Sequence, residues 1–491
     1  MSAVRLHPAQ TDRACGVLIA SAAGDALGAG YEFATVAPDL VPTMIGGGLG
    51  GFASGEWTDD TSQAVAIARV AATGIDLRTP EALTQIAQGF ADWYAGGPAD
   101  VGIQTSAVLS RAGRNPTGAE MTEAARVVHE RTGRSAGNGS LMRTGPVALA
   151  YLDDPVGLVE AAMAVSALTH HQDLAREACA VWCLMIRHAV LYGEFPAYDD
   201  IAAWMPNPDH WRGLLAEAET KPPSAFARNG WTVGALQAAW SAITHTPGPV
   251  EGPACGHLVE SLTTAIRIGH DTDTVAAIAG ALLGARWGMS AVPAAWRRVL
   301  HGWPGLRGGD LEHLAYLTAR GGRSGKYGWP LVDHIDYTDL QYGKPALVKH
   351  PYDDGLLLSG ATVLDHVPES VDAVVSLCLT GRTQVPAGVE HINFRLMDES
   401  DPRQNPNLDF VLMDAARLVR DLRDEGKTVL LHCVAAHSRT PTVAIAYAML
   451  RGVRLDKAMP CVCAVLPVAR PNHGFRAALE RLSNSGAMAR Q

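Results

Sequence analysis

Between residues 10 and 320 the apolar positions recur at helical spacing. SQAVAIARVAAT, PEALTQIAQGFADWYA, LAREACAVWCLMIRHAVLYG and TVAAIAGALLGARWG place Ala, Val, Leu and Ile three and four residues apart. Breaks rich in Gly and Pro separate them (IGGGLGGFASGE, GRNPTG, THTPGPVEGPACG), and no strand pattern of any length intervenes. An all-α domain is expected over residues 10–322. The texture then changes. ARGGRSGKYGWP reads as a Gly/Arg linker and DYTDLQYGKPALVKHPYDDG continues irregularly, so a linker is expected over 323–344. Short β-rich runs follow, GLLLSG, VDAVVSLC, EHINFRLM and KTVLLHC. They alternate with the helical patterns LDFVLMDAARLVRDLRDEG, TPTVAIAYAMLRG and HGFRAALERLSN. That alternation predicts an α/β domain with a partly parallel sheet over residues 345–491.

Composition sharpens this picture. The 50 glycines, the Ala-rich runs and an aromatic content of only 6% predict helices packed through small side chains. Hydrophobic residues at 47% and charged residues at 18% exclude disorder for the bulk of the chain. The net charge of −10, from 40 Lys+Arg against 50 Asp+Glu, makes a poor nucleic-acid binder, because duplex affinity rests on neutralising phosphates. Phosphate-bearing ligands remain open, through metal ions or helix N-termini. The eight cysteines form no CxxC pair and no zinc spacing, which points to reduced thiols in a cytoplasm. Arg13 and ACGVLIASAAG imitate a secretory signal, but Asp12 interrupts its basic region and the segment runs straight into GDALGAGYEF. No apolar run approaches the roughly 18 residues a membrane helix needs. VAAIAGALLGA, the longest, is expected as a buried helix, and no membrane partner is expected.

Four segments of the first domain concentrate oxygen ligands. GDALGAGYEF carries Glu32; WTDDTSQAVAIA carries Thr58, Asp59, Asp60 and Thr61. SAGNGSLMRTGP holds Gly137, Asn138, Gly139, Ser140 and Arg143; GHDTDTVAAIAG holds Asp271, Asp273 and Thr274. Hard cations take carboxylate, hydroxyl and water oxygens. Helix capping explains either acidic turn alone, since Asp and Thr are favoured there. A cap needs one oxygen, however, and TDDT and DTDT each supply three or four. Face to face they make a site for one or two Mg²⁺ ions. GNGS reads as a loop with its backbone near a phosphate, or as a plain turn.

Together these segments resemble the ADP-ribosylglycohydrolase family over residues 10–320, with ALTHHQDLAREAC as further support. The resemblance implies that Thr58, Asp59, Asp60, Asp271, Asp273 and Thr274 hold two magnesium ions, with Glu32 as a mobile acidic residue near one of them. It implies hydrolysis of the bond between the ribose of ADP-ribose and a protein side chain or other acceptor, with Gly137, Asn138, Gly139 and Ser140 toward substrate. The metals would hold the ribose diol while carboxylates orient water at an oxocarbenium-like centre. Acid and base stay unassigned among them. His170 and His171 are ligand contacts or packed residues, and Trp57 stacks on adenine or fills the core.

The second domain carries KTVLLHCVAAHSRTPTVAIAYAML. A strand over Thr428–Leu431 delivers His432 and Cys433, a loop follows, and Arg439 with Thr440 leads into a helix. Five residues between Cys433 and Arg439 wrap the loop so that its N–H groups converge on a tetrahedral oxyanion. The helix N-terminus and the guanidinium favour a thiolate nucleophile, and Arg grips two phosphate oxygens with its planar fork. A buried structural Cys is the plainer alternative.

This pattern resembles the dual-specificity branch of the Cys-dependent phosphatases over residues 345–490, supported by INFRLMDES, AIAYAML and ARPNHGF. The resemblance implies that Cys433 becomes phosphorylated, Arg439 binds the phosphoryl group and Thr440 assists hydrolysis of the intermediate. Asp398 aligns with the general acid, with Glu399 and Asp401 as rivals. One residue departs: Ala436 stands where the family has Gly, and its Cβ narrows or shifts the loop. Cys461 and Cys463 read as packing thiols. The expectation is a bifunctional hydrolase acting on an ADP-ribosylated protein or other ADP-ribosyl compound and on a phosphorylated substrate. Its alternatives are processing of an ADP-ribose-derived metabolite, or a sensor whose C-terminal site only binds.

Overall fold

The computed structural model describes residues 5–340 and 347–485, so the expected linker and second domain each run partly outside the described residues. Two compact units form. One comprises residues up to Pro249 with Gly256–Val292 and Val299–Arg323; the other comprises Val250–Cys255, Pro293–Arg298 and the chain from Ser324 onward.

The first unit is helical, apart from a two-residue hairpin pairing His301–Gly302 with Leu306–Arg307. Its central pair is α1 (Pro8–Gly28) against a helix of the chain's second half. After α1 come α2 (Asp59–Ala71), α3 (Asp173–Tyr192), α4 (Thr272–Trp287), which is the partner of α1, and α5 (Gly308–Ala319). His7 and Gln10 cap α1 reciprocally, each side chain meeting the other's backbone N–H. By length and composition α1 is long and apolar enough to cross a membrane, although Asp12 and Arg13 interrupt its run; 89% of its apolar window is buried inside the protein.

Glycines set the spacing of α1 and α4. A Cβ on Gly24 would overlap the Ala276 carbonyl, one on Gly280 the Ala20 carbonyl, and one on Gly284 the Gly16 carbonyl. Residues four apart share a helix face, so Gly16, Ala20, Gly24 and Gly28 form one stripe, and Ala276, Gly280 and Gly284 another. The two backbones meet there without intervening side chains. At the end of the stripe the Thr272 hydroxyl donates to the Gly28 carbonyl at 2.9 Å, so the C-terminus of α1 abuts the N-terminus of α4.

The second unit is α/β. Strands β1 (Val348–His350), β2 (Asp353–Gly360), β3 (Ala373–Ser376), β4 (Glu390–Asn393) and β5 (Val429–Cys433) lie in the order β1-β2-β5-β3-β4. β1 is antiparallel to β2; the other pairings are parallel. β5 is therefore flanked on both sides, every residue in it is buried, and its reading as a continuous apolar run follows. Helices α6 (Leu408–Asp424), α7 (Arg439–Leu450), α8 (Leu455–Val465) and α9 (His473–Asn484) complete the unit. Part of the segment read as linker packs here: Trp329, Ile335 and Tyr337 are buried, and the Gln384 amide pairs with both backbone groups of Ile335.

Candidate active sites

In the first unit, TDDT and DTDT open α2 and α4 as anticipated. Thr58 is the N-cap of α2 and Asp271 that of α4. The two helix starts face each other: Thr274 Oγ1 donates to Asp60 Oδ2 at 3.3 Å, and Thr58 Oγ1 donates to the same carboxylate at 3.1 Å. Carboxylate oxygens gather in two overlapping groups, Asp25–Asp60–Asp273 and Glu32–Asp271–Asp273, each with its atoms within 4.8 Å of one another. Asp273 belongs to both. Asp60 Oδ1 and Asp273 Oδ1 are buried without a hydrogen-bond partner. Orphaned buried carboxylate oxygens are costly unless a cation satisfies them. An all-oxygen donor set suits a hard dication, and the residues present fit one.

Electrostatics agree. Desolvation, then neighbouring carboxylates, pushes Glu32 and Asp59 each up to about 8 and holds Asp60 and Asp273 well above the ordinary range. Among the described residues no Lys or Arg forms a salt bridge with this crowd; Arg143, fully buried, eases Asp59 by its charge alone, lies over Phe90 with its centre 4.2 Å from the ring centroid and donates to Gln63 and Thr169.

Asp25 is the residue that sequence reading missed. Fully buried on α1, it accepts from Thr58 N and Thr61 N at 3.0 Å and from Thr61 Oγ1 at 2.6 Å. It thus ties α1 to the first turn of α2. Its position one turn before Gly28, on a helix of small residues, was the available signal.

The GNGS loop forms a 3₁₀ turn over Asn138–Ser140. Asn138 Nδ2 donates to Asp271 Oδ2 at 2.7 Å, so this loop orients one of the clustered carboxylates. Gly137 and Gly139 lie over the buried His170 ring, which would sit 3.4–3.7 Å from a Cβ on either. Ser140 points inward, accepting from Ser166 Oγ at 2.9 Å and Cys179 Sγ at 3.4 Å. His171 packs against His129 with ring centroids 5.1 Å apart. Trp57 is buried and also lines a cavity of about 360 Å³ that opens beside Thr58 and Asp59. Trp93, Trp303, Glu56 and Asp100 line it too, and no basic side chain does.

A family model described as ADP-ribosylglycohydrolase matches residues 6–326, around this cluster. The chain belongs to that family. A second model, the dual specificity phosphatase catalytic domain, matches residues 369–485, so both units belong to hydrolase families. The chain is 29% identical over 300 residues to an ADP-ribosylarginine hydrolase of Pseudomonas putida, covering 60% of this chain and 76% of that protein. It is 29% identical over 302 residues to the ADP-ribosyl-[dinitrogen reductase] glycohydrolase of Rhodospirillum rubrum, covering 59% and 90%. Dual specificity protein phosphatase 1 of Arabidopsis thaliana is 33% identical over 92 residues, covering 18% of this chain and 44% of that protein.

In the phosphatase-family unit, Cys433 ends β5 and is buried; Arg439 starts α7. Ala436 stands between them at φ +52°, the left-handed region where a Cβ is strained. The backbone here takes a conformation that Gly favours, so Ala436 bears strain. Arg439 Nη1 donates to the Leu377 carbonyl at 2.7 Å, whereas its Nε and the Thr440 hydroxyl are buried without a hydrogen-bond partner. His432 is buried; its Nε2 pairs with Ser376 Oγ at 2.7 Å, and desolvation pushes it down to about 3. Among the acid candidates, Asp398 Oδ2 lies 3.7 Å from Arg439 Nε, while Asp401 pairs with its neighbour Arg403. Cys461 and Cys463 lie on α8, and no disulfide joins any of the eight cysteines.

Proposed function

We propose that the first unit is a Mg²⁺-dependent hydrolase of ADP-ribosyl bonds and that Thr58, Asp59, Asp60, Asp271, Asp273 and Thr274 hold two ions, Asp273 shared between them. The convergence of two helix starts on buried, unpartnered carboxylate oxygens supports this most directly. Bound magnesium supplies positive charge to grip ribose hydroxyls and polarise the reacting centre. The chain's own groups do the rest. Asn138 holds Asp271 in place, Asp25 locks the α2 turn, Gly137 and Gly139 shape the wall over His170, and Ser140, turned inward to Ser166 and Cys179, anchors that loop. In this reading Glu32 and Asp59 orient water as positive charge develops at the ribose carbon. The cavity beside Asp59, with aromatic faces and three carboxylates, suits a cationic acceptor; with the relative's name, this favours ADP-ribosylarginine.

The second unit, in this reading, hydrolyses phosphate monoesters. The Cys433 sulfur attacks phosphorus, a cysteinyl-phosphate forms, and Asp398 protonates the leaving oxygen. The unspent Arg439 Nε and Thr440 hydroxyl support a phosphate cradle. Eight cysteines without a disulfide favour a reducing compartment, the cytoplasm. The test is release of ADP-ribose from ADP-ribosylarginine by the full chain with EDTA and after Mg²⁺ is restored. Loss and recovery are expected, and Asp60→Ala and Asp273→Ala abolish release. Release undiminished by EDTA overturns the metal reading.

A further inference from the structure

Asn472 joins three parts of the phosphatase-family unit that are distant in sequence. Its side-chain Oδ1 accepts from Phe475 N at 2.9 Å, capping α9. Its backbone N–H donates to Ser438 Oγ of the phosphate loop at 3.1 Å. Its Nδ2 donates to Asp398 Oδ1 at 3.1 Å. The cap settles which end of the amide faces which way. Phe475 N–H needs an acceptor, so Oδ1 points to the helix and only the NH₂ is left for Asp398. Held at Oδ1 by this donor, the carboxyl turns its other oxygen, Oδ2, toward Arg439, 3.7 Å from Nε. Gly474 lets α9 come this close: a Cβ there would sit 3.0 Å from Ser400 Cα.

We propose that Asn472 is the positioning residue that aims the Asp398 carboxyl at the leaving group and ties it to the phosphate loop. The proposal rests on the phosphatase reading. In the first step the Asp398 carboxyl proton moves to the ester oxygen as the S–P bond forms and the P–O bond breaks. In the second, the resulting carboxylate takes a proton from water as oxygen attacks phosphorus and the S–P bond breaks.

The test uses the full chain with two aryl phosphates, one releasing an activated nitrophenol and one releasing plain phenol, which needs the acid. Asn472→Asp and Asn472→Ser both keep an N-cap acceptor, and neither donates to Asp398; thermal unfolding checks that each folds. Both variants are expected to lose kcat on phenyl phosphate at least about tenfold more than on the nitrophenyl ester, within the range general acids contribute. Equal losses on both esters, or none on either, overturn the positioning role while leaving the phosphatase reading intact. A wild-type chain that hydrolyses neither ester overturns both.

Discussion

Ala436 and His432 show what single residues cost or contribute. At φ +52° Ala436 carries left-handed strain of about 1–2 kcal/mol, which Gly would relieve at an entropic cost of about 0.5–1 kcal/mol. Ala436→Gly is therefore expected to stabilise the unit by up to about 1 kcal/mol and to keep or raise aryl-phosphate turnover. Urea unfolding and steady-state kinetics check this, and a destabilised variant contradicts it. His432 is held neutral by burial, with the charges of His391 and Arg439 also opposing protonation. Its folded-state value, about 3, lies below the unfolded 6.5. The unfolded chain thus binds the extra proton between those values. The contribution is fully present above pH 6.5 and is lost as pH falls toward 3, about 2 kcal/mol between pH 7 and pH 5. Ser376 and Cys378 face the same ring. Urea midpoints at pH 5, 6 and 7 should show a shallower acid loss for His432→Gln than for wild type by about that amount.

At the scale of elements, the glycine stripe between α1 and α4 determines the carboxylate cluster. Asp25 and Asp273 sit on those two helices, and their separation is the interhelical distance at its end. Gly284→Ala places a methyl group against the Gly16 carbonyl, far along α4 from Asp273. Overpacking of this kind costs about 1–3 kcal/mol. The expected signature is double: lower thermal stability, and weaker activation by Mg²⁺ in a titration of ADP-ribose release. Normal Mg²⁺ activation in a destabilised Gly284→Ala would show that α2 and α4 alone set the site.

For the molecule as a whole, two hydrolase-family units carry separate reactive groups. Cys433→Ser should abolish phosphate release with ADP-ribose release retained, and Asp60→Ala should do the reverse. Both are measured on one preparation. Coupled loss would mean that the two chemistries share a site.

The sequence by itself determined the kinds of elements and the local reactive patterns. TDDT, DTDT and Cys433-x5-Arg439 each act within one turn or one loop, where spacing alone settles geometry. Helical and alternating periods likewise separated an all-α unit from an α/β one. Even the odd residue of the loop between Cys433 and Arg439, Ala436, was legible, though not that its backbone would take the left-handed conformation and leave Ala strained. Only the tertiary structure decided which side chains meet across long separations. Asp25 lies 33 residues before Thr58 and bonds to it, Asn138 lies 133 before Asp271, and Asp398 lies 74 before Asn472. These pairings depend on how closely α1 approaches α4 and on where α9 meets the acid loop. Those distances are set by glycines whose role is steric and visible only against a neighbouring backbone, because no periodicity records what a missing Cβ would have struck.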